Sequence, residues 1–282
     1  METERKKITI LDLQEMKRKK EKISFLTGYD YPIASLEDKA GIEMILVGDS
    51  LGMTVYGHKT TLPVTMEQML YHTDAVCRAV KYAFLVGDMP YMSYQISIEE
   101  AISNAGEFMR LGVDSIKLEG GARVAHIVEA IVNAGIPVMG HIGMTPQSMA
   151  TFGGYRVQGK KAGIAKQLIE DAKAIEQAGA FSILLECIPD KVGKIITETL
   201  KIPVLSIGAG PDCDGQLIIV NDLIGLFEFF TPKFVKKYAN IAPILTEAFQ
   251  NYYKEVKDGT FPTSEHCYSI SDEEYEALKK GL

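Results

Sequence analysis

A parallel (β/α)8 barrel preceded by one extra N-terminal helix is the fold class the sequence predicts, and three observations carry it. Eight apolar segments of strand length recur along the chain, and helical stretches with capping signals alternate with them. The first strand is followed by Gly28-Tyr29-Asp30-Tyr31 and not by the GxGxxG turn that an open dinucleotide-binding sheet wants. The later Gly208-Ala209-Gly210 follows the seventh strand and reads as a turn of close approach.

The first helix is predicted over Leu11–Lys22 with Thr9 as its N-cap. Strands are predicted at Ile23–Thr27, Met44–Gly48, Phe84–Gly87, Val113–Leu118, Pro137–Gly140, Phe181–Leu185 and Pro203–Ile207, with the eighth near Leu223–Phe227. Thr65-x-x-Gln68 and Ser97-x-x-Glu100 open helices, because their side chains can satisfy free amides of a first turn. Gly41, Gly112, Gly135 and Gly179 stand where helices should end. A long insertion, Leu51–Thr65, follows the second strand. No Ser/Gly linker or low-complexity tract interrupts the repeat, so one domain is expected over residues 1–282.

Composition narrows the function classes. Across 282 residues, 30 Lys and Arg against 37 Asp and Glu give a net charge of −7, and 46% of residues are hydrophobic. A net-acidic chain has no general attraction for nucleic-acid phosphates or anionic lipid, and Glu15 and Glu21 balance the basic run Lys17–Lys22. There is no signal-peptide core and no run of about 18 apolar residues, so a cytoplasmic protein is expected. Cys77, Cys187, Cys213 and Cys267 have no zinc spacing and read as reduced thiols. His58, His72, His126 and His266 form no ligand pair, and the scattered methionines read as core filling.

In a barrel of this kind, chemistry gathers at the C-terminal ends of the strands. Ionisable residues stand there in series: Tyr29-Asp30, Asp49 beside Ser50, Asp88, Lys117 with Glu119, His141 and Glu186. Lys117 and Glu119 are two apart on one strand, so both point inward if Ile116 and Leu118 face the helices. Asp49, Asp88 and Glu119 would share one opening and repel one another without a cation. Oxygen-only donors favour Mg²⁺, with Mn²⁺ or Co²⁺ as stand-ins. The apolar flank of Glu186 should lift its pKa toward that of a general base. Each residue also has a plainer reading. The acids can be helix caps, Lys117 a mere neutraliser of Glu119, Glu186 a helix N-terminal carboxylate, and His141 a backbone-bonded core histidine.

Seven motifs in order carry a resemblance along nearly the whole chain. They are Val47-Gly48-Asp49-Ser50-Leu51-Gly52-Met53, Thr61-Leu62-Pro63-Val64-Thr65, Lys117-Leu118-Glu119-Gly120-Gly121, Gly140-His141-Ile142-Gly143-Met144-Thr145-Pro146-Gln147-Ser148, Phe152-Gly153-Gly154-Tyr155, Leu185-Glu186-Cys187-Ile188-Pro189, and Ile207-Gly208-Ala209-Gly210 with Asp214-Gly215-Gln216. The chain resembles the ketopantoate (3-methyl-2-oxobutanoate) hydroxymethyltransferase family. The resemblance implies a barrel of the phosphoenolpyruvate/pyruvate-binding type, assembled as a cytoplasmic homodecamer. It implies transfer of a one-carbon unit from 5,10-methylenetetrahydrofolate to 3-methyl-2-oxobutanoate through a Mg²⁺-stabilised enolate, giving 2-dehydropantoate and tetrahydrofolate in pantothenate biosynthesis. It makes Asp49, Asp88 and Glu119 the metal residues, and Asp49, Ser50, Asp88 and Lys117 the oxo-acid contacts. His141 becomes a neighbour of the substrate and Glu186 the proton acceptor.

Asn221-Asp222-Leu223, where the family often has histidine before the aspartate, and the aromatic-rich Leu226–Phe230 depart from the pattern and are expected away from the metal motifs. A lyase or mutase of the same superfamily would carry a Lys-Lys-Cys-Gly-type loop, which this chain lacks. A non-catalytic barrel would have lost Glu186 or one of the acids, and none is missing.

Overall fold

The computed structural model describes residues 5–282; residues 1–4 of the expected domain lie outside the described residues. Eight parallel strands close into a barrel in chain order, with the eighth paired to the first. The order begins with α1 (Ile10–Lys19), β1 (Ile23–Thr27), α2 (Tyr31–Ala40), β2 (Met44–Val47), α3 (Leu51–Thr54), α4 (Met66–Ala79), β3 (Phe84–Asp88) and α5 (Ile98–Leu111). It continues with β4 (Ser115–Glu119), α6 (Ala125–Asn133), β5 (Val138–Gly143), α7 (Met149–Phe152), α8 (Ala162–Gln177), β6 (Ser182–Glu186), α9 (Asp190–Thr199) and β7 (Val204–Ile207). Last come β8 (Gly215–Ile218), α10 (Val220–Leu223), α11 (Ile241–Asp258) and α12 (Asp272–Gly281).

Period-two alternation sorts the strand side chains into two apolar layers. Ile45, Leu85, Ile116, Leu118 and Ile183 pack outward among the helices, while Phe25, Leu46, Phe84, Leu184 and Leu217 fill the barrel. The extra helix α1 belongs to the inner layer. Its Leu13 is fully buried there, and Lys17 pairs with Asp214 at 2.7 Å, so α1 plugs one end of the barrel and leaves the other for chemistry. Thr9 caps α1 through Asp12, and Thr65 and Ser97 cap α4 and α5 as their spacing predicts. Gly41, Gly112, Gly135 and Gly179 all take positive φ at the ends of helical segments. No described helix is long and apolar enough to cross a membrane.

The eighth strand corrects the sequence reading. Leu223 ends α10 and Phe227 lies in the loop beyond it, whereas β8 is Gly215–Ile218. The repeat breaks because β7 reaches β8 through residues 208–214 with no helix between. Gly208 (φ 76°) and Gly210 (φ 99°) turn the chain back, and Gln216 Nε2 closes the turn on the Gly210 carbonyl at 2.9 Å. β8 is short and carries an exposed Gln216, so its apolar signal is weak.

Candidate active site

Barrel register assembles the site. Asp88 stands opposite Lys117, Glu119 opposite His141, and Gly143 opposite Glu186, so the ends of β3 to β6 present a continuous row of polar groups. With Ile116 and Leu118 turned to the helices, Lys117 and Glu119 point inward. Both line a cavity of about 530 Å³ together with Asp49, Ser50, Asp88, His141 and Glu186. All the predicted site residues therefore meet in one chamber. Asp30, also on the series of strand ends, instead caps α2 by accepting the Ile33 amide.

Lys117 is the ionic centre. Its Nζ lies 2.7 Å from Asp88 Oδ1 and 3.9 Å from Glu119 Oε1, with almost no exposure of any of the three side chains. Burial works against the ammonium, but Asp88, Glu119 and Asp49 outweigh it and hold its pKa above the ordinary value. Burial lifts the carboxyls of Asp49, Asp88 and Glu119 above their usual range, opposed by Lys117. Asp88 Oδ2 accepts the Asp49 amide at 2.9 Å, and Glu119 Oε2 accepts the Gln147 amide at 3.0 Å. Glu119 Oε1 has no hydrogen-bond partner. Among the described residues, no three Asp, Glu, His or Cys side chains already converge as a metal-ligand group.

His141 bridges this centre to Glu186. Its Nδ1 lies 3.4 Å from both Lys117 Nζ and Glu119 Oε1, and its Nε2 lies 3.2 Å from Glu186 Oε2. Burial and then Lys117 push the imidazole pKa down, against the opposing pull of Glu186 and Asp49. Burial raises the Glu186 carboxyl, and the His141 contact opposes that shift. Two features aim Glu186. Cys187 holds a left-handed backbone (φ 48°), and Gly143 (φ 100°) leaves room where a Cβ would meet the Glu186 carbonyl at 2.3 Å. The Cys187 thiol, pushed up to about 12 by burial, is not an activated nucleophile.

The structure adds contacts and residues to which sequence reasoning assigned no role. Ser50 Oγ is held 2.8 Å from the hydroxyl of buried Tyr29, whose own pKa burial raises to about 12. Tyr155, Arg156 and Val157 come over the mouth from the segment after α7. Asp222, Phe227, Phe230, Lys233 and Phe234 line the same cavity, so the departures from the family pattern share the chamber that holds the acid cluster. The returning loop after α10 brings them there, a placement that strand periodicity does not encode.

The fold matches solved structures of distant sequence. Phosphonopyruvate hydrolase, solved with oxalate and Mg²⁺, superposes with TM-score 0.61 at 13% identity, covering 97% of this chain and 99% of that one. 2,3-Dimethylmalate lyase, a member of the phosphoenolpyruvate mutase/isocitrate lyase superfamily, gives 0.58 at 14% identity, covering 98% and 100%. At such identity the likeness is one of fold. Sequence relatives are far nearer. The 3-methyl-2-oxobutanoate hydroxymethyltransferase of Syntrophomonas wolfei is 52% identical over 96% of this chain and 99% of its own length. That of Alkaliphilus metalliredigens is 54% identical over 97% and 98%. The model of the ketopantoate hydroxymethyltransferase family matches residues 7–264. By relatives and family model together, the chain belongs to the ketopantoate hydroxymethyltransferase family and is a transferase.

Proposed function

We propose that this chain transfers a one-carbon unit from 5,10-methylenetetrahydrofolate to 3-methyl-2-oxobutanoate, giving 2-dehydropantoate and tetrahydrofolate. One water is consumed in the balance and supplies the new hydroxyl oxygen. The names of the relatives support the acceptor and the reaction class. The observation that carries the residue assignment is Glu186, a partly buried carboxyl with raised pKa at the cavity wall, 3.2 Å from the His141 imidazole.

The donor set fits a hard divalent cation. Three carboxyls, Asp49, Asp88 and Glu119, surround the ammonium of Lys117 in the buried part of the cavity, Glu186 lines the same cavity, and Glu119 Oε1 makes no hydrogen bond. Mg²⁺ keeps several waters and takes only one or two carboxylates at many sites, so a ready-made cage is not required. Asp49, Asp88 and Glu119 would hold it. When bound it would supply positive charge to the keto oxygen as negative charge develops there.

The chain's own groups do the rest. Lys117 offers the oxo acid a fixed cation, and Ser50, steadied by Tyr29, offers a hydroxyl. Glu186 takes the proton from C3, leaving a carbanion equivalent that forms the new C–C bond to the methylene carbon as one of its two C–N bonds to the folate breaks, and water replaces the second nitrogen to leave the hydroxyl and tetrahydrofolate. His141, 3.2 Å from Glu186 Oε2, stands beside the base and fixes its surroundings. Incubating the protein with 3-methyl-2-oxobutanoate, methylenetetrahydrofolate and Mg²⁺ tests the reading. 2-Dehydropantoate must appear, and its absence from active, folded protein rejects it.

A further inference from the structure

Gln147 lies behind the acid cluster, on the short turn Pro146–Ser148 that follows β5. It is buried and is not part of the cavity wall. Every polar position of its amide is used. Nε2 donates to Asp49 Oδ2 at 3.0 Å and to the Met89 carbonyl at 2.9 Å. Oε1 accepts from the Tyr94 hydroxyl at 2.8 Å and from Gln95 Nε2 at 3.3 Å. A carboxylate and a carbonyl only accept, so the amide nitrogen has to face Asp49 and Met89, and the orientation of the group is set by chemistry.

The same residue reaches the second acid through its backbone, whose N–H donates to Glu119 Oε2 at 3.0 Å. Tyr94 completes the bracket. Its hydroxyl oxygen accepts the Glu119 amide at 3.1 Å while holding Gln147, and its ring is buried. Gln147 thus ties one oxygen of Asp49, after β2, and one oxygen of Glu119, on β4. The other oxygen of Glu119, which makes no hydrogen bond, lies toward Lys117 Nζ at 3.9 Å and His141 Nδ1 at 3.4 Å.

We infer that Gln147 is a positioning residue for a divalent cation: it selects which oxygens of Asp49 and Glu119 face the cation, with Tyr94 as its anchor. This rests on the metal reading given above. Outer groups of this kind set the direction and basicity of metal-ligating carboxylates, and losing one costs about 10- to 100-fold in metal affinity or activity. A residue that merely clasped the loops after β3 and β5 would affect stability and leave cation affinity alone.

The test is direct binding of Mn²⁺, followed by electron paramagnetic resonance of the free ion, to folded wild-type protein, Gln147→Met and Tyr94→Phe. Gln147→Met keeps the length and the backbone N–H, and removes both amide functions. It should bind Mn²⁺ about 10- to 100-fold more weakly, while turnover at saturating metal stays within a few-fold of wild type. Tyr94→Phe should show a smaller loss in the same direction, and it decides the matter if Gln147→Met does not fold. Wild-type affinity in the folded variants overturns the role of Gln147. Failure of the wild-type protein itself to bind Mn²⁺ removes the metal reading, and this inference falls with it.

Discussion

Asp88 and Lys117 are register partners on neighbouring strands, and their charged ends meet at 2.7 Å with almost no exposure to solvent. A buried pair of this kind is an expensive way to hold two strands together, since each ion gives up its hydration. Its position at the cavity wall accounts for it. Asp88 keeps the ammonium charged at a point where an anionic acid can reach it, and Lys117 keeps three crowded carboxyls tolerable.

Asp88→Asn therefore tests two properties at once. The amide keeps the shape but removes the closest counter-ion of Lys117, and losing one partner of a buried pair costs about 3–5 kcal/mol of stability. Metal-dependent turnover should be lost while the circular dichroism of the folded protein stays unchanged. Full activity at ordinary Mg²⁺ concentration would remove Asp88 from the metal set.

Lys117→Met keeps the stem of the side chain and deletes the charge. Hydrogen bonds to charged groups contribute about 1.5–3 kcal/mol, so the dissociation constant for 3-methyl-2-oxobutanoate should rise roughly 10- to 100-fold by calorimetry. An unchanged constant would mean that the oxo acid binds without Lys117.

Glu37 makes a prediction about stability alone. It is buried, neither carboxyl oxygen has a partner, and burial, with a smaller push from Asp30, raises its pKa to about 8. Between the ordinary carboxylate range and pH 8 the folded chain holds a proton that the unfolded chain has lost, so stability falls as pH rises through that window. Glu37→Met should be more stable than wild type by roughly 3–5 kcal/mol above pH 8 and nearly equal to it near pH 4. Denaturant unfolding at the two pH values measures this. Parallel pH dependence in both proteins would contradict it.

Self-association is the fourth expectation, and it comes from the family resemblance. On α11, Ile244, Phe249, Tyr252 and Val256 are exposed in the single chain, and among the residues of that helix Ala242 is the buried one. Light scattering should give a mass several times 31.1 kDa at micromolar concentration. A monomer mass would overturn the expected assembly.

Much of this molecule was legible in the sequence because the barrel writes its site in a simple code. Asp88, Glu119 and Glu186 are the last residues of their strands, where an apolar run stops at a charge, and the inward turn of Lys117 follows from Ile116 and Leu118 facing the helices. Other parts carry no such code. β8 was missed because a helix-free return from β7 breaks the repeat. Phe227, Phe230 and Phe234 reach the cavity through a loop whose path no periodicity specifies. Gln147 was visible inside a motif, yet its role depends on hydrogen bonds to Asp49 and Tyr94, 98 and 53 residues away.

The central claim is that Glu186 removes the C3 proton, and enolisation can be isolated from one-carbon transfer. With Mg²⁺ and no folate, wild-type protein should exchange the C3 hydrogen of 3-methyl-2-oxobutanoate with D₂O, read directly by NMR. Glu186→Gln keeps size and hydrogen bonding and should still bind the oxo acid. A positioned general base contributes roughly 10²- to 10⁴-fold, so exchange should fall by at least about 100-fold. Exchange at the wild-type rate in Glu186→Gln would mean that another group, with His141 the first suspect, is the base, and the assignment of Glu186 would be wrong.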